Sequence, residues 1–414
     1  MNTLRTGFAG GGLQSMGDTP PKVLIVLEAS GGGTGRHVVE LAEGLLTGGS
    51  EVHLIYSDLR TDQPFRDGVE GLQARGLQVR RVPMRREPHW SDPGCLVQIR
   101  RYIGRHGPFD VVHSHSSKAG ALARVAAAGC DVARIYTPHA MRTMDATLHP
   151  AIREVYRLIE VGLARTASDA IIAVSEFERQ HMIAQGVPAQ QLHVVPNGIP
   201  QPPPVDRAGV RASLGLGGDE TCIGFIGRLV PQKAPERFVA AIARLAARNP
   251  RMRGVVVGTG PLQDDVHARA REAGIEERMI WVTDRSGPDV LPAFDILAMP
   301  SLYEGMPYVL LEALATGVPV VATDVGGVTE AIEDRVTGFV VPQQSADDLV
   351  QRLEMLVTDR TLRASMAESS FRKSLEMSLQ RMVTQTLQVY RSAQRTRLRR
   401  DHPLPVGLDP RRAG

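Results

Sequence analysis

The chain has 414 residues, 43% of them hydrophobic and 22% charged, with a formal net charge of +3. That length exceeds one ordinary core and fits two domains of roughly 200 residues each, while the composition excludes fibrous and disordered classes. Aromatics make up only 4% and no basic patch is interleaved with them, so no nucleic-acid partner is expected.

Residues 1–20 lack an apolar stretch of signal-peptide length, and no run of about 18 uncharged apolar residues occurs anywhere. Three scattered cysteines, Cys95, Cys130 and Cys222, suit reduced thiols and form no metal-type spacing. A cytoplasmic protein with a flexible N-terminus over 1–20 is therefore expected.

From Lys22 onward, β-branched runs alternate with amphipathic segments. "KVLIVL", "EVHLIYS", "LQVRRVPM", "FDVVHSHS", "ARIYTPH" and "AIIAVSE" read as strands. Unbroken Val and Ile runs are what parallel strands covered on both faces require, which predicts a doubly wound sheet. "LHVVPNGIPQPPPVDRAG" then reads as a stiff connector, with Asn197-Gly198 and a proline cluster marking the boundary. The alternation restarts with "TCIGFIGRL", "MRGVVVGTG", "RMIWVT", "DILAMPS", "VPVVATD" and "TGFVV". The expected fold is α/β, with two Rossmann-like doubly wound parallel-sheet domains.

In such sheets ligands sit beyond the carboxyl ends of the strands. The first strand runs into "EASGGGTGRHVVELAEGL", where Gly31, Gly32, Gly33 and Gly35 permit close backbone approach at a helix start. The loop matches neither a Walker loop nor Gly-x-Gly-x-x-Gly. His37 follows on the helix as a contact candidate. His113, His115 and Lys118 close the fourth strand and His139 the fifth. The pair His113 and His115 is read as pointing to opposite faces with no third ligand nearby, so no metal is expected. His139, at a strand exit, is placed to meet a hydroxyl or phosphate.

In the second half, Gly227-Arg228 and Lys233 share one strand-to-helix loop, two cations beside a helix start that suit a pyrophosphate. Further on, "SLYEGMPYVLLEALATGVPVVATDVGG" carries Glu304 and Glu312 in apolar company. Pro307 suits a first helical position and Gly317 with Pro319 stops the helix. Apolar residues on nearly all its faces predict a sandwiched helix. A carboxylate is kept there for a partner or a ligand, because an unpaired buried one costs several kcal/mol. Both readings, a salt-bridged core glutamate and a ligand contact, stay open on the residues alone.

Taken in order, Gly227-Arg228-Leu229, Lys233, Glu304-x7-Glu312 and "ATGVPVVATDVGG", with "VPNGI" and "LYEGMPYVLLEALA", resemble the retaining glycosyltransferases of family 4 over about residues 22 to 392. The resemblance implies the GT-B fold: an acceptor-binding domain over 21–198, a nucleotide-sugar-binding domain over 199–370, a helix over 371–393 crossing back to the first, and a basic flexible tail over 394–414. It implies that Arg228 and Lys233 hold the donor diphosphate and stabilise the leaving group. Glu312 would bind the ribose hydroxyls and Glu304 the sugar hydroxyls, with Gly305, Met306 and Pro307 lining that pocket. His139 would stand near the transferred sugar, Gly32, Gly33 and Gly227 near the diphosphate, and His37, His115 and Lys118 on the acceptor side. No cofactor and no obligatory metal are implied beyond the nucleotide-diphosphate-sugar donor, the sequence having no Asp-x-Asp.

"ASGGGTGRHVVELAEGL" with "HSHSSKAGALAR" further resembles the branch acting in bacterial exopolysaccharide, capsule and lipid-linked oligosaccharide assembly. That implies a glycan or polyprenyl-linked acceptor at the inner face of the plasma membrane, with the arginines at 80, 81, 85, 86, 100, 101 and 105 as candidate lipid contacts; ordinary solvated surface would present the same residues. Two rival functions stay in view. Sugar-nucleotide 2-epimerases share the fold, and a noncatalytic nucleotide-sugar-binding scaffold would have lost one of the polar residues named above.

Overall fold

The computed structural model describes residues 19–145, 147–203 and 206–401. The expected flexible ends therefore lie outside the described residues, apart from 19–20 and 394–401.

Seven parallel strands form the first sheet: β1 (Val23–Leu27), β2 (Val52–Tyr56), β3 (Gln78–Arg81), β4 (Val111–His115), β5 (Ala133–Thr137), β6 (Ala170–Ala173) and β7 (Leu192–Val194), in the order β3-β2-β1-β4-β5-β6-β7. Six more form the second: β8 (Thr221–Ile226), β9 (Met252–Val257), β10 (Met279–Val282), β11 (Ile296–Met299), β12 (Val320–Thr323) and β13 (Gly338–Val341), in the order β10-β9-β8-β11-β12-β13. The register is fixed in the centre, where Val23 pairs with both Val52 and Val111. Val23, Ile25 and Leu27 feed one core and Leu24 and Val26 another. Each face of β1 is thus apolar because each is covered by helices, which explains the unbroken run. Twelve of these strands lie within runs read from the sequence; β7 does not. Its three residues, "LHV", had been taken into the connector, being too short for a periodic signal.

The helix predicted around Glu312 spans Tyr308–Ala315, and all its residues but Val309 are buried. Pro307 is its N-cap rather than its first helical residue, with extended ψ of 127°. The single crossing helix expected over 371–393 is two helices, Arg360–Ser374 and Leu379–Asp401. The second returns to the first sheet, where Met382, Val383, Val389, Tyr390 and Ala393 join the β1 core. Its tyrosine hydroxyl meets His113 Nδ1 at 2.7 Å. Its last turns carry part of the basic excess, and Arg397 there pairs with Asp131 at 3.2 Å. No helix of the described residues is long and apolar enough to cross a membrane.

The connector and this return cross each other by backbone pairing. Ile199 N–H donates to the Met377 carbonyl and Leu379 N–H to the Ile199 carbonyl, both at 3.0 Å. Gly198 is required there, since a Cβ would lie 2.4 Å from the Ser378 carbonyl oxygen. Gly198→Ala should therefore lower stability by about 1–3 kcal/mol, as overpacking against backbone does. Chemical denaturation would check this, and a variant within about 0.5 kcal/mol of the parent would show the crossing to be loose.

Candidate functional site

Each sheet reverses its winding once, between β1 and β4 in the first and between β8 and β11 in the second. Such points leave a crevice between the outgoing loops, where open parallel sheets hold ligands. The loops there are Glu28–Gly33, Ser116–Lys118, Gly227–Lys233 and Ser301–Pro307, and all but two of the site residues singled out by sequence lie on them or on the helices they open. The two exceptions are His115, the last residue of β4, and His139, in the loop after β5; His113, set aside in the sequence reading, also lies on β4.

Lys233 Nζ and Glu304 Oε1 lie 2.5 Å apart, with side chains 20% and 7% exposed. The contact joins the loops after β8 and β11 and gives the buried carboxylate its partner. Arg228 stands exposed beside them, and the described residues give it no ion pair. The Glu304 loop is held from behind by Gly326-Gly327. Gly327 N–H donates to the Gly305 carbonyl at 2.6 Å, and Gly326, at a φ of +56°, has no room for a Cβ, which would lie 2.1 Å from the Glu304 carbonyl oxygen.

Glu312 is also paired, with Arg36 of the opposite domain. Arg36 bonds Glu40 Oε1 at 2.8 Å as well and lies 4.9 Å from the Tyr308 ring. Burial, opposed by Arg36, pushes the Glu40 carboxyl above its ordinary pKa. Gly32 and Gly33 open the helix Gly32–Thr47, and Gly33 lies close to the Tyr308 ring. Lys118 bonds Asp92 Oδ2 at 2.5 Å, so its charge is met on the first domain rather than at the histidines.

His37, His113, His115 and His139 form one cluster. The opposite-face reading of His113 and His115 was wrong: residues two apart on a strand share a face, and their ring centroids are 4.0 Å apart. His115 Nδ1 meets His139 Nε2 at 3.0 Å, while His115 Nε2 is buried with no hydrogen-bond partner. One nitrogen each from His37, His115 and His139 all lie within 4.8 Å of one another, a third ligand position that the linear sequence did not reveal. Burial holds all four imidazoles below their ordinary pKa, His37 to about 4 despite its bond to Asn197. His139 has a φ of +55° and Ala140 of +71°.

Sequence reasoning missed the residues that hold this cluster. Glu178 accepts from Ala140 N–H at 2.7 Å and Val174 N–H at 2.9 Å, bracing the left-handed turn at His139. Its burial pushes the carboxyl up to about 7, against those N–H bonds. Asn197, read only as a turn residue, bridges the domains: its Oδ1 meets His37 Nδ1 at 3.0 Å and its Nδ2 donates to the Met306 carbonyl at 2.7 Å. Tyr308 adds its hydroxyl 3.2 Å from His37 Nδ1. The usable signal was an Asn-Gly pair at the domain junction; nothing local marked Glu178.

Residues 32–198 match the family described as glycosyl transferase 4-like domain, and residues 206–373 match glycosyl transferases group 1. A D-inositol 3-phosphate glycosyltransferase of Kribbella flavida is 30% identical over 71% of this chain and 74% of its own length. Another, from Stackebrandtia nassauensis, is 34% identical over 63% of each chain. An Escherichia coli UDP-Gal:alpha-D-GlcNAc-diphosphoundecaprenol alpha-1,3-galactosyltransferase is 28% identical over 66% of this chain and 72% of its own. Among solved structures, Anabaena HepE in complex with UDP-glucose aligns at a TM-score of 0.75 and 20% identity, covering 90% of this chain and 99% of that one. This last likeness bears on the fold alone.

The buried neutral histidines make stability pH-dependent with a defined sign. A histidine whose folded pKa is depressed binds fewer protons than the unfolded chain between the two values, so stability is full above about pH 6.5 and falls as pH drops toward 4. His37 by itself should cost on the order of 3 kcal/mol across that window. Urea midpoints at pH 7.5 and pH 5 should fall accordingly, and less steeply in His37→Asn. A flat profile would mean that the cluster is solvated or charged.

Proposed function

The chain belongs to the group 1 glycosyltransferases with a 4-like first domain, and from that premise we propose that it transfers a sugar, with retention, from a UDP- or GDP-sugar to a glycan or polyprenyl-linked acceptor of bacterial surface polysaccharide. That it is a GT-B glycosyltransferase using a nucleotide sugar follows from the family. The finer reading is supported above all by the Lys233–Glu304 contact at the β8/β11 crevice.

In this reading the diphosphate displaces Glu304 from Lys233. The ammonium, with exposed Arg228, then meets the charge that develops on the leaving nucleotide, a stabilisation that strengthens as the bond breaks. Glu304, released, accepts from hydroxyls of the sugar. Glu312 turns from Arg36 to the ribose, and Arg36 keeps Glu40. Neutral His139 faces the sugar from the first domain, held in its left-handed turn by Glu178. Gly32 and Gly33 come to the diphosphate, and Gly227, Gly305, Met306 and Pro307 wall the donor; His37, His115 and Lys118 are assigned to the acceptor side.

Retention follows from front-face attack. The acceptor oxygen bonds the anomeric carbon on the face from which the phosphate oxygen departs, and its proton passes to that phosphate oxygen. No side chain then becomes glycosylated, and the chain's own residues supply the electrostatics without an obligatory metal. A polyprenyl-linked acceptor is favoured by the activity named for the Escherichia coli relative. It would bring the protein to the inner face of the membrane as a peripheral partner.

Nucleotide diphosphate release across UDP-, GDP- and ADP-sugars, with and without a polyprenyl-linked acceptor extract, tests the reading. Acceptor-dependent release from one donor should fall by roughly 10²-fold or more in Lys233→Ala and in Glu304→Ala. Donor conversion without acceptor would replace it by the epimerase, and binding without turnover by the scaffold. Capture of a glycosylated Glu304 would end the front-face mechanism.

A further inference from the structure

A cavity of about 420 Å³ lies beside the donor crevice, on the first-domain side of His139. Gln232 and Tyr303, one residue before Lys233 and Glu304, line it from the second domain, and Arg60, Arg86, Lys118 and Arg142 from the first. A group bound there would abut the reacting sugar.

Among the described residues its carboxylates each have a partner, Asp92 through Oδ2 alone, its Oδ1 being buried without one. Glu28 is bonded by Arg60 at 2.9 Å and Asp92 by Lys118 at 2.5 Å. Asp145 Oδ1 accepts from the Thr147 N–H at 3.0 Å and from its hydroxyl at 2.5 Å, and Glu160 is bonded by Arg124 and Tyr136 at 2.9 and 2.8 Å. Of its cations, Arg60 and Lys118 are met by these carboxylates, whereas Arg86 and Arg142 are less fully paired. Arg142 reaches Asp145 and the exposed Glu87 only at 3.3 Å each, and its Nε is buried with no hydrogen-bond partner. Among the described residues, the ion pair of Arg86 is with its neighbour Glu87, at 3.8 Å. Burial and the like charges of Arg142 and Arg60 hold the Arg86 pKa below its ordinary value, so the guanidinium groups converge at a cost. Ser116 Oγ, also in the wall, is another buried atom without a partner.

Converging guanidinium groups with unused N–H donors match the geometry of a phosphate, which accepts in parallel from planar forks. We propose that this cavity holds a phosphate group of the acceptor, with Arg86 and Arg142 as its anion-binding pair and the Ser116 hydroxyl as a further donor. The assignment rests on the glycosyltransferase reading and narrows the acceptor to a phosphorylated class. A soluble sugar or polyol phosphate and a lipid-linked sugar diphosphate offer the same chemistry.

The test uses the full chain and a donor that it binds. Initial rates are compared for three acceptor sets: soluble sugar and polyol phosphates, detergent-dispersed polyprenyl-diphosphate sugars, and the unphosphorylated sugars and polyols. Turnover should be at least tenfold more efficient in one phosphorylated set, which names the source. Arg86→Gln, at a half-exposed position, should raise the acceptor KM about tenfold and leave the donor KM unchanged. Arg142→Gln should do the same, and inorganic pyrophosphate should bind the UDP- or GDP-saturated parent by calorimetry but not Arg86→Gln. Equal use of unphosphorylated acceptors, or an acceptor KM and pyrophosphate binding untouched by Arg86→Gln, would overturn the subsite. If neither UDP nor GDP binds, the UDP- or GDP-sugar reading itself falls, on evidence separate from the arginine variants.

Discussion

Everything chemical in this chain depends on one constraint of parallel sheets, the single place where each reverses its winding. At β1/β4 and at β8/β11 the loops diverge to opposite faces and leave open backbone at the strand ends. The strands feeding these points are buried on both faces and have no freedom to shift register, since a slip of one residue would exchange two different cores. Loop residues such as Lys233 and Glu304 are therefore carried on rigid strand ends, as the proposed electrostatic role requires.

The second theme is charge held in reserve. Lys233 with Glu304, Arg36 with Glu312 and Lys118 with Asp92 each bring a buried or half-buried ion beside its opposite. Desolvating such pairs adds little net stability, while stripping one partner is costly. In the proposed reaction their value lies elsewhere: an anionic ligand with hydroxyl donors can substitute for both partners at once. The same crevice is also bridged between the domains through Asn197 to His37 and Met306 and through the Glu330 carboxylate, which accepts from the N–H groups of Glu176 and Phe177. These set the distance between the two faces.

Much of this was legible one residue at a time. The Val and Ile runs foretold twelve strands because covering both faces leaves a composition signal. The buried setting of Glu312 followed from the apolar residues around it. The histidine cluster was misread where it mattered, since His113 and His115 share a face and His37 and His139 come to them from a helix and from the loop after β5. Glu178 and Asn197 left no mark beyond ordinary helix and turn chemistry, because their partners are backbone groups and side chains distant in sequence.

By itself, then, the sequence determined the two α/β halves, the place of the junction near Gly198 and the ordered set Arg228, Lys233, Glu304 and Glu312, because periodicity, turn residues and motif spacing are local properties of the chain. Only the tertiary structure decided which charges neutralise one another, that four histidines are buried together, and that Arg86 and Arg142 line one cavity with Arg142 Nε unpartnered. Those outcomes depend on desolvation and on distances between segments far apart in sequence, and neither quantity exists until the sheets are wound and the two domains face each other.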